Sequence, residues 1–226
     1  MIDLIYVQYG CGWSCPDGWL NFDVSPSLRL ERLPVVGPLI KVNGRRFPEQ
    51  VQLGDIVSGL PVRDGTVRGV YASHVLEHLC HDDFWIALRN TYKLLAPGGI
   101  FRLVVPDLES RARFYCNQLD GGNANSNSEF LRLTYLGLPH RPRSLLDRLR
   151  ASLGNSAHLW MWDYKSIACA LQKTGFCDIR RAEFNDCGDP MFRLVEDKSR
   201  FYWSLPNNPS AIKPECAVEA RKPPTN

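Results

Sequence analysis

Short apolar segments that alternate with amphipathic helical patterns constrain the fold of this chain most strongly. Segments of strand length occupy residues 4–8, 19–24, 50–53, 67–72 and 100–105. The last of these is a continuous apolar run, as in strands that are buried on both faces. Residues 82–95 have apolar side chains at three- and four-residue spacing, and a Pro-Gly-Gly sequence follows them, which predicts a helix and its end. Strands that alternate with helices predict an α/β domain with a parallel sheet.

The C-terminal half continues this pattern after an irregular stretch. Residues 163–174 predict a helix that ends at Gly175, and residues 177–184 and 216–220 predict the final strands. Between the two halves, the sequence predicts a polar loop at residues 121–128 and short helices at 130–138 and 144–153. We expect one domain over residues 1–220 and a loose tail over 221–226.

Charge and cysteine content narrow the class of protein. The formal net charge is +3, which is too small to favour nucleic acid as a partner. The positive charge is concentrated in residues 111–150, which contain seven arginines and three acidic residues. The eight cysteines include no CxxC pair, so a disulfide scaffold is not expected. The sequence shows no membrane-length apolar stretch and no basic leader, which indicates a cytoplasmic protein.

A glycine turn and two acidic residues follow the first three predicted strands. Gly10-Cys11-Gly12 follows the first strand, Asp23 ends the second, and Asp55 follows the third. Glycines let a ligand approach the backbone, and an acid at the end of the second strand can bind ribose hydroxyls. This order is typical of an adenosine site, although the turn alone could be an ordinary tight turn. The third glycine of the dinucleotide fingerprint is absent, which disfavours a nicotinamide cofactor.

Two longer segments carry a family resemblance. Residues 71–79 read YASHVLEHL, and residues 94–107 read LLAPGGIFRLVVPD. Both resemble the segments after strand four and around strand five of class I methyltransferases that depend on S-adenosylmethionine (SAM). The glycine turn, Asp23 and Asp55 fall in the same order, and residues 162–184 match the late helix and sixth strand of that class. The match is to a small bacterial family similar to methyltransferase type 11.

The resemblance implies a fold and a cofactor. The implied fold is a Rossmann-like, doubly wound sheet of seven strands with the last strand antiparallel and a shortened first helix. A helical lid insertion for the acceptor would occupy residues 111–160. The implied cofactor is SAM, bound across the carboxyl ends of the first four strands. Its expected ligands are Gly10, Gly12, Asp23, Asp55, Ser73 and His74.

Candidate catalytic residues follow strands four and five. His74, Glu77 and His78 have helical spacing, so we expect them on one side of a turn, where a histidine with a carboxylate can act as a general base. His74 stands where quinone O-methyltransferases have an acid, which argues against a Mg²⁺ site, and no metal is assigned. Asp107 and His158 are further catalytic candidates. The alternative for all of these residues is a structural role, in packing or in capping a helix.

The acceptor is predicted only in outline. Arg141 and Arg143 could hold a phosphate or carboxylate of the acceptor, although a solvated helix face is the alternative. We expect O-methylation of a small molecule or glycan, and no nucleic-acid or membrane partner. A methyltransferase-fold binding module without catalytic activity is the main alternative. A nicotinamide-dependent sugar enzyme and a protein or nucleic-acid methyltransferase are less favoured, and no Asn-Pro-Pro-Tyr motif follows strand four.

Overall fold

Seven strands form one mixed sheet in the computed structural model, which describes residues 5–34, 37, 45–138, 157–206 and 208–225. The strands of the sheet are β1 (Ile5–Tyr9), β2 (Trp19–Asp23), β3 (Gln52–Leu53), β4 (Val67–Ser73), β5 (Leu95–Val105), β6 (Cys177–Arg181) and β9 (Cys216–Arg221). A separate two-stranded hairpin consists of β7 (Tyr202–Leu205) and β8 (Asn208–Pro214). The helices are α1 (Pro26–Glu31), α2 (His81–Leu94), α3 (Leu108–Asp120), α4 (Ser126–Leu133) and α5 (Tyr164–Thr174). Short 3₁₀ turns lie at Leu76–His78, Pro190–Leu194 and Lys198–Arg200.

The strand order in the sheet is β3-β2-β1-β4-β5-β9-β6. Neighbours among β1 to β5 are parallel, whereas β9 runs antiparallel to both β5 and β6. The predicted α/β fold with an antiparallel last strand is therefore confirmed. The order reverses between β1 and β4, so a crevice opens at their carboxyl ends, where ligands bind in folds of this type.

One face of the sheet is covered by α2 and α5. Phe84 and Leu88 of α2 and Ile167 and Leu171 of α5 are buried against inward-facing side chains of β1, β4, β5 and β9. Helix α5 begins with a capping box between Asp163 and Ser166 and ends at Gly175 in a left-handed conformation, as the sequence predicted. These apolar contacts supply most of the core.

The opposite face is covered by a segment without an α-helix, residues 190–201. Phe192, Val195 and Phe201 pack there against Tyr6, Trp19 and other residues of the sheet. In the sheet, β2 lies to one side of β1, and β5 lies to the opposite side of β4. Because both connections are right-handed, the helix between β4 and β5 covers one face, and a helix between β1 and β2 would cover the other face. Only ten residues lie between Gly12 and Asp23, and no helix forms in them. The 190–201 segment thus fills the space that the shortened first connection leaves.

Some elements differ from the sequence predictions. Helix α3 was not predicted, because it buries only Arg111 and so has no apolar stripe. The polar loop is shorter than expected, since α4 begins at Ser126 and ends at Leu133 rather than spanning 130–138. Strand β5 begins at Leu95, five residues before the predicted start. The β7–β8 hairpin was also not predicted, and the helix expected at 144–153 lies outside the described residues.

Two further expectations concern cysteines and membranes. All eight cysteines are described, and all are free thiols. Within the described ranges, no helix has the length and apolar character needed to cross a bilayer.

Candidate functional site

The turn after β1 depends on two glycines with positive φ. Gly10 has φ 63° and Gly12 has φ 56°. Residues other than glycine rarely adopt this left-handed backbone conformation. A Cβ atom at Gly10 would lie 2.2 Å from Cγ2 of Val75, whereas a Cβ at Gly12 would meet no atom within 4 Å. The turn therefore passes close to the segment after β4 at Gly10 and leaves open space at Gly12.

Asp23 joins this turn to the end of β2. Its Oδ2 accepts a hydrogen bond from Gly12 N at 2.8 Å, and its Oδ1 accepts one from Ser25 N at 2.8 Å. Gly54 N donates to the Asp23 carbonyl at 3.1 Å, which places Asp55 beside the same strand ends. The Asp55 carboxylate accepts from Val57 N and Ser58 Oγ in its own turn. The structure thus brings Gly12, Asp23 and Asp55 to adjacent strand ends, as predicted.

A cavity of about 430 Å³, the glycine-turn cavity, opens beside this turn. Its lining comes from β1 and the turn, from β4, from Arg45 and from the segment that covers the second face: Gln8, Tyr9, Gly10, Cys11, Trp13, Ser14, Arg45, Tyr71, Ser73, Leu194, Val195, Glu196, Asp197 and Arg200. The hydroxyls of Tyr71 and Ser73 are buried near each other, and among the described residues they have no other hydrogen-bond partner. Buried polar atoms are usually fully paired, so the two hydroxyls leave room for hydrogen bonds to a polar ligand. Asp23 and Asp55 are not part of this lining.

His74 marks the end of β4 in an unusual conformation. Its φ is 54°, which is uncommon outside glycine and often marks a functional site. Its Nε2 lies 2.9 Å from the Arg200 carbonyl, which can only accept, and its Nδ1 lies 3.2 Å from Oε1 of Glu77. Burial disfavours the charged imidazole, but Glu77 and the carbonyl outweigh it and raise the pKa of His74.

Glu77, His78 and His158 form a second group next to His74. The Leu76–His78 turn buries Glu77 completely, and its carbonyl accepts from Leu159 N at 2.8 Å and Trp160 N at 3.2 Å. These bonds bring His158 to His78, with ring centroids 5.1 Å apart. Burial lowers the pKa of His158, as does the neighbouring His78, although the Glu77 carboxylate opposes this. The structure therefore brings together four of the predicted residues, although the turn is a 3₁₀ turn that starts after His74.

A larger cavity of about 540 Å³, the histidine cavity, lies on the other side of His74. The ends of β4 and β5, helices α3 and α4 and the hairpin contribute its lining: His74, Pro106, Arg111, Glu129, Arg132, Leu133, Tyr135, His158, Trp203, Ser204, Pro206 and Glu215. Its volume is that of a small-molecule site. Ser73 and His74 thus separate two cavities at the carboxyl end of β4.

The remaining candidates have other positions. Asp107 caps α3, where its side chain accepts from Glu109 N at 3.2 Å, and burial raises its pKa despite the nearby Arg181. It does not line the histidine cavity, although its neighbour Pro106 does. The geometry therefore favours a structural role, capping of α3, for Asp107. Arg141 and Arg143 lie outside the described residues.

Three features of the site were not predicted from the sequence. Arg111, which we grouped with the surface arginines, is buried and forms a bidentate pair with Glu215 at 2.7 Å. Trp203 lines the histidine cavity, and its buried indole N–H has no partner among the described residues. Arg200 lines the glycine-turn cavity and donates to the Ser73 carbonyl at 3.4 Å. Arg200 and Trp203 lie far from the motifs in sequence, and no local pattern marks Arg111 as buried.

Comparisons with known proteins agree with this architecture. Residues 8–103 match a family model described as a methyltransferase domain. A SAM-dependent methyltransferase from Methanosarcina mazei shares the fold, with a TM-score of 0.52 at 11% identity, over 100% of this chain and 95% of that one. No curated protein sequence matches significantly.

Two other solved structures are also similar. A SAM-dependent methyltransferase from Archaeoglobus fulgidus aligns with a TM-score of 0.47 at 14% identity, over 97% of this chain and 86% of that one. The CurJ carbon methyltransferase aligns with a TM-score of 0.47 at 14% identity, over 97% of this chain and 48% of that one. The chain thus spans about half the length of the CurJ structure.

The sequence match begins at Gln8, near the end of β1, and covers the glycine turn, β2 to β4 and most of β5. The strand order and the Methanosarcina structure show the same fold. The family model over residues 8–103 and the fold together support a class I SAM-dependent methyltransferase, with SAM as its cofactor.

Proposed function

We propose that this protein transfers the SAM methyl group to an oxygen of a small, polar acceptor, of the sugar or glycan type. The observation that carries the proposal is the pair of cavities that meet at Ser73 and His74. One cavity lies along the glycine turn and the other lies at the ends of β4 and β5. In-line methyl transfer needs the methyl donor and the acceptor oxygen to be held close together and aligned. Two adjacent cavities allow this.

SAM fits the glycine-turn side of this junction. The open space at Gly12 and the hydroxyls of Tyr71 and Ser73 leave both room and polar partners for a ligand. We assign Gly10 and Gly12 to close backbone approach, Asp23 to the ribose hydroxyls, and Ser73 and His74 to the methionine end. Each Asp23 oxygen accepts one backbone N–H and so retains a lone pair for a hydroxyl. Asp55 would face the adenine.

The histidine cavity fits a polar acceptor. The Trp203 N–H and Nδ1 of His158 are both buried and have no partner among the described residues, so a ligand there would supply hydrogen-bonding atoms. When bound, SAM supplies an activated methyl group, and an acceptor hydroxyl must lose its proton as the new O–C bond forms. The histidine cavity is lined by His158, and Glu77 and His78 lie beside it. We assign proton removal to this group and not to Asp107.

The anionic character of the acceptor is a separate part of the proposal. Arg132 lines the described part of the histidine cavity, and Arg141 and Arg143 belong to the same stretch of sequence, residues 111–160, which we propose as the acceptor lid. Guanidinium groups bind phosphate and carboxylate with two parallel hydrogen bonds. We therefore expect a phosphorylated or carboxylated acceptor to have a lower KM than its neutral counterpart.

The test is methyl transfer from SAM with a labelled methyl group across a panel of hydroxyl compounds. Each sugar or nucleotide-linked sugar is paired with its deoxy analogue and, where available, with its unphosphorylated form. We expect label only in compounds that retain the hydroxyl, with lower KM for the anionic members. Transfer to amines alone would contradict O-methylation, and equal KM values would contradict the anion preference. Binding of S-adenosylhomocysteine without any transfer would favour the non-catalytic alternative.

A further inference from the structure

Glu77, His78 and His158 place three ligating groups at one point beside the histidine cavity. One ligand atom from each side chain lies within 4.8 Å of the other two. Glu77 and His78 belong to the 3₁₀ turn after β4, and His158 is brought to them by the backbone hydrogen bonds to the Glu77 carbonyl. The cluster is thus built by tertiary structure and not by one local motif.

The Glu77 carboxylate lacks the partners that its burial demands. The residue is fully buried, and its Oε1 lies 3.2 Å from Nδ1 of His74, with which it forms an ion pair. Among the described residues, Oε2 has no hydrogen-bond partner. A buried carboxylate is stabilised by paired charge and hydrogen bonds or by a metal ion.

Both histidines have a ring nitrogen available. His78 Nδ1 lies 3.0 Å from the Ala157 carbonyl, which can only accept, so the proton is on Nδ1 and the lone pair is on Nε2. Histidines that bind metals usually donate their other N–H to a carbonyl or carboxylate in this way. Nδ1 of His158 is buried and has no hydrogen-bond partner within the ranges that the structure describes.

We propose that Glu77, His78 and His158 bind one divalent transition-metal ion of the Zn²⁺, Fe²⁺ or Mn²⁺ type. Two imidazoles and one carboxylate suit these ions, whereas Mg²⁺ and Ca²⁺ prefer oxygen ligands. Bonds of about 2.0–2.2 Å would require the ligand atoms to close in by about 1 Å, which side-chain rotation can supply. This set differs from the His74, Glu77 and His78 trio considered from the sequence.

The position of the cluster indicates a role for the ion. His158 lines the histidine cavity, so open coordination positions would face an acceptor oxygen. A bound ion would lower the pKa of that hydroxyl, so its proton could pass to solvent as the new O–C bond forms and the S–C bond of SAM breaks. With the ion bound, the cluster would act through it in place of the direct proton removal assigned above. This role rests on the proposed function, whereas the binding site itself does not.

Metal binding can be measured without any methyl-transfer assay. Full-length protein without an affinity tag is stripped with a chelator, and Zn²⁺ is then titrated against a chromophoric competitor. We expect one ion per chain, with at least a tenfold loss of affinity in Glu77→Gln and in His158→Gln. His81→Ala is the matched control, because His81 lies next to Trp160 and Trp162 but outside the cluster, and should bind as the wild type does.

Wild-type stoichiometry well below one, or unchanged affinity in both cluster variants, would overturn the site. Retained binding of S-adenosylhomocysteine shows that a variant is folded. If a variant does not fold, Co²⁺ absorption of the wild-type protein decides instead. Intense ligand-field bands of four- or five-coordinate cobalt support the site, and weak octahedral bands overturn it. Metal binding without methyl transfer would contradict the proposed function and leave the site intact.

Discussion

Gly10 and Gly12 share a positive φ but differ in what surrounds them. An alanine at either position costs about 1–2 kcal/mol for the left-handed conformation. At Gly10 the new Cβ would also lie 2.2 Å from Val75 Cγ2, and overpacking adds about 1–3 kcal/mol. We expect Gly10→Ala to lower the free energy of unfolding clearly more than Gly12→Ala, as measured by urea denaturation.

Removing the Val75 side chain separates the two causes. In a Val75→Ala background, the extra cost of Gly10→Ala over Gly12→Ala should become much smaller, because the 2.2 Å contact with Cγ2 is gone and only Cβ of residue 75 remains, at 3.3 Å. An equal effect of the two glycine substitutions in the wild-type background would show that the close contact with Val75 does not constrain the turn.

At the level of elements, the 190–201 segment connects the sheet to the glycine-turn cavity. Arg102 of β5 and Glu196 have fully buried side chains and form an ion pair, and Glu196 Oε2 accepts from Asn185 N at 2.7 Å. Arg102 also donates to Glu219 Oε2 at 3.0 Å. Leu194 to Asp197 line the cavity, so this ion pair holds one of its walls in place.

Glu196→Gln should therefore affect stability and ligand binding together. We expect a loss of about 2–3 kcal/mol in the free energy of unfolding, less than for a lone buried pair because Glu219 remains. Affinity for S-adenosylhomocysteine should fall as well. Glu109→Gln is the control, since Glu109 pairs with Arg113 on the surface of α3 and solvent-exposed pairs contribute little to stability. Similar losses in both variants would refute the anchoring role.

Asp189 makes the same segment sensitive to acid. It accepts hydrogen bonds from Tyr6 Oη at 2.6 Å, Arg68 Nε at 3.1 Å and Met191 N at 3.1 Å. Burial opposes its charge, but these three donors outweigh that effect and lower the pKa of Asp189. Its contribution to stability is present above the unfolded pKa of about 3.9 and is lost as pH falls through the lower folded value.

Asp189→Asn should therefore show a weaker pH dependence of unfolding than the wild type below about pH 4. The measurement is the difference in unfolding free energy between the two proteins from neutral pH into that acid range. We expect the difference to shrink as pH falls. A constant difference would mean that Asp189 titrates normally in the folded protein.

For the whole molecule, sequence periodicity predicted those helices and strands that bury an apolar face in the core. Strands β1, β2 and β4 and helices α2 and α5 were predicted to within about two residues, because their apolar faces are buried on the same core. Helix α3 has no such face, and β7 and β8 pair only with each other. Elements that do not contribute a regular apolar pattern could not be found in this way.

The same distinction applies to the site: residues that directly follow predicted strands could be located from the sequence, and the others could not. Gly10, Gly12, Asp23 and the residues of 73–78 follow strands, so the fold fixes where they lie once the strands are known. His158 joined them as a candidate only through its aromatic surroundings, and its contact with Glu77 depends on backbone bonds across 80 residues. Arg200 comes from the 190–201 segment, Trp203 from β7 and Glu215 from the residue between β8 and β9, and no local pattern predicts the path of this part of the chain.

The central claim is that the carboxyl ends of β1 and β2 bind the adenosyl cofactor. Calorimetric titration of S-adenosylhomocysteine into the wild type, Asp23→Ala and Asp17→Ala tests it most directly. Asp17→Ala is the control, because Asp17 is exposed in the loop between β1 and β2. We predict one site, an affinity weaker by about 1–3 kcal/mol in Asp23→Ala, and no change in Asp17→Ala. No binding to the wild type, or equal affinity in Asp23→Ala, would contradict the claim.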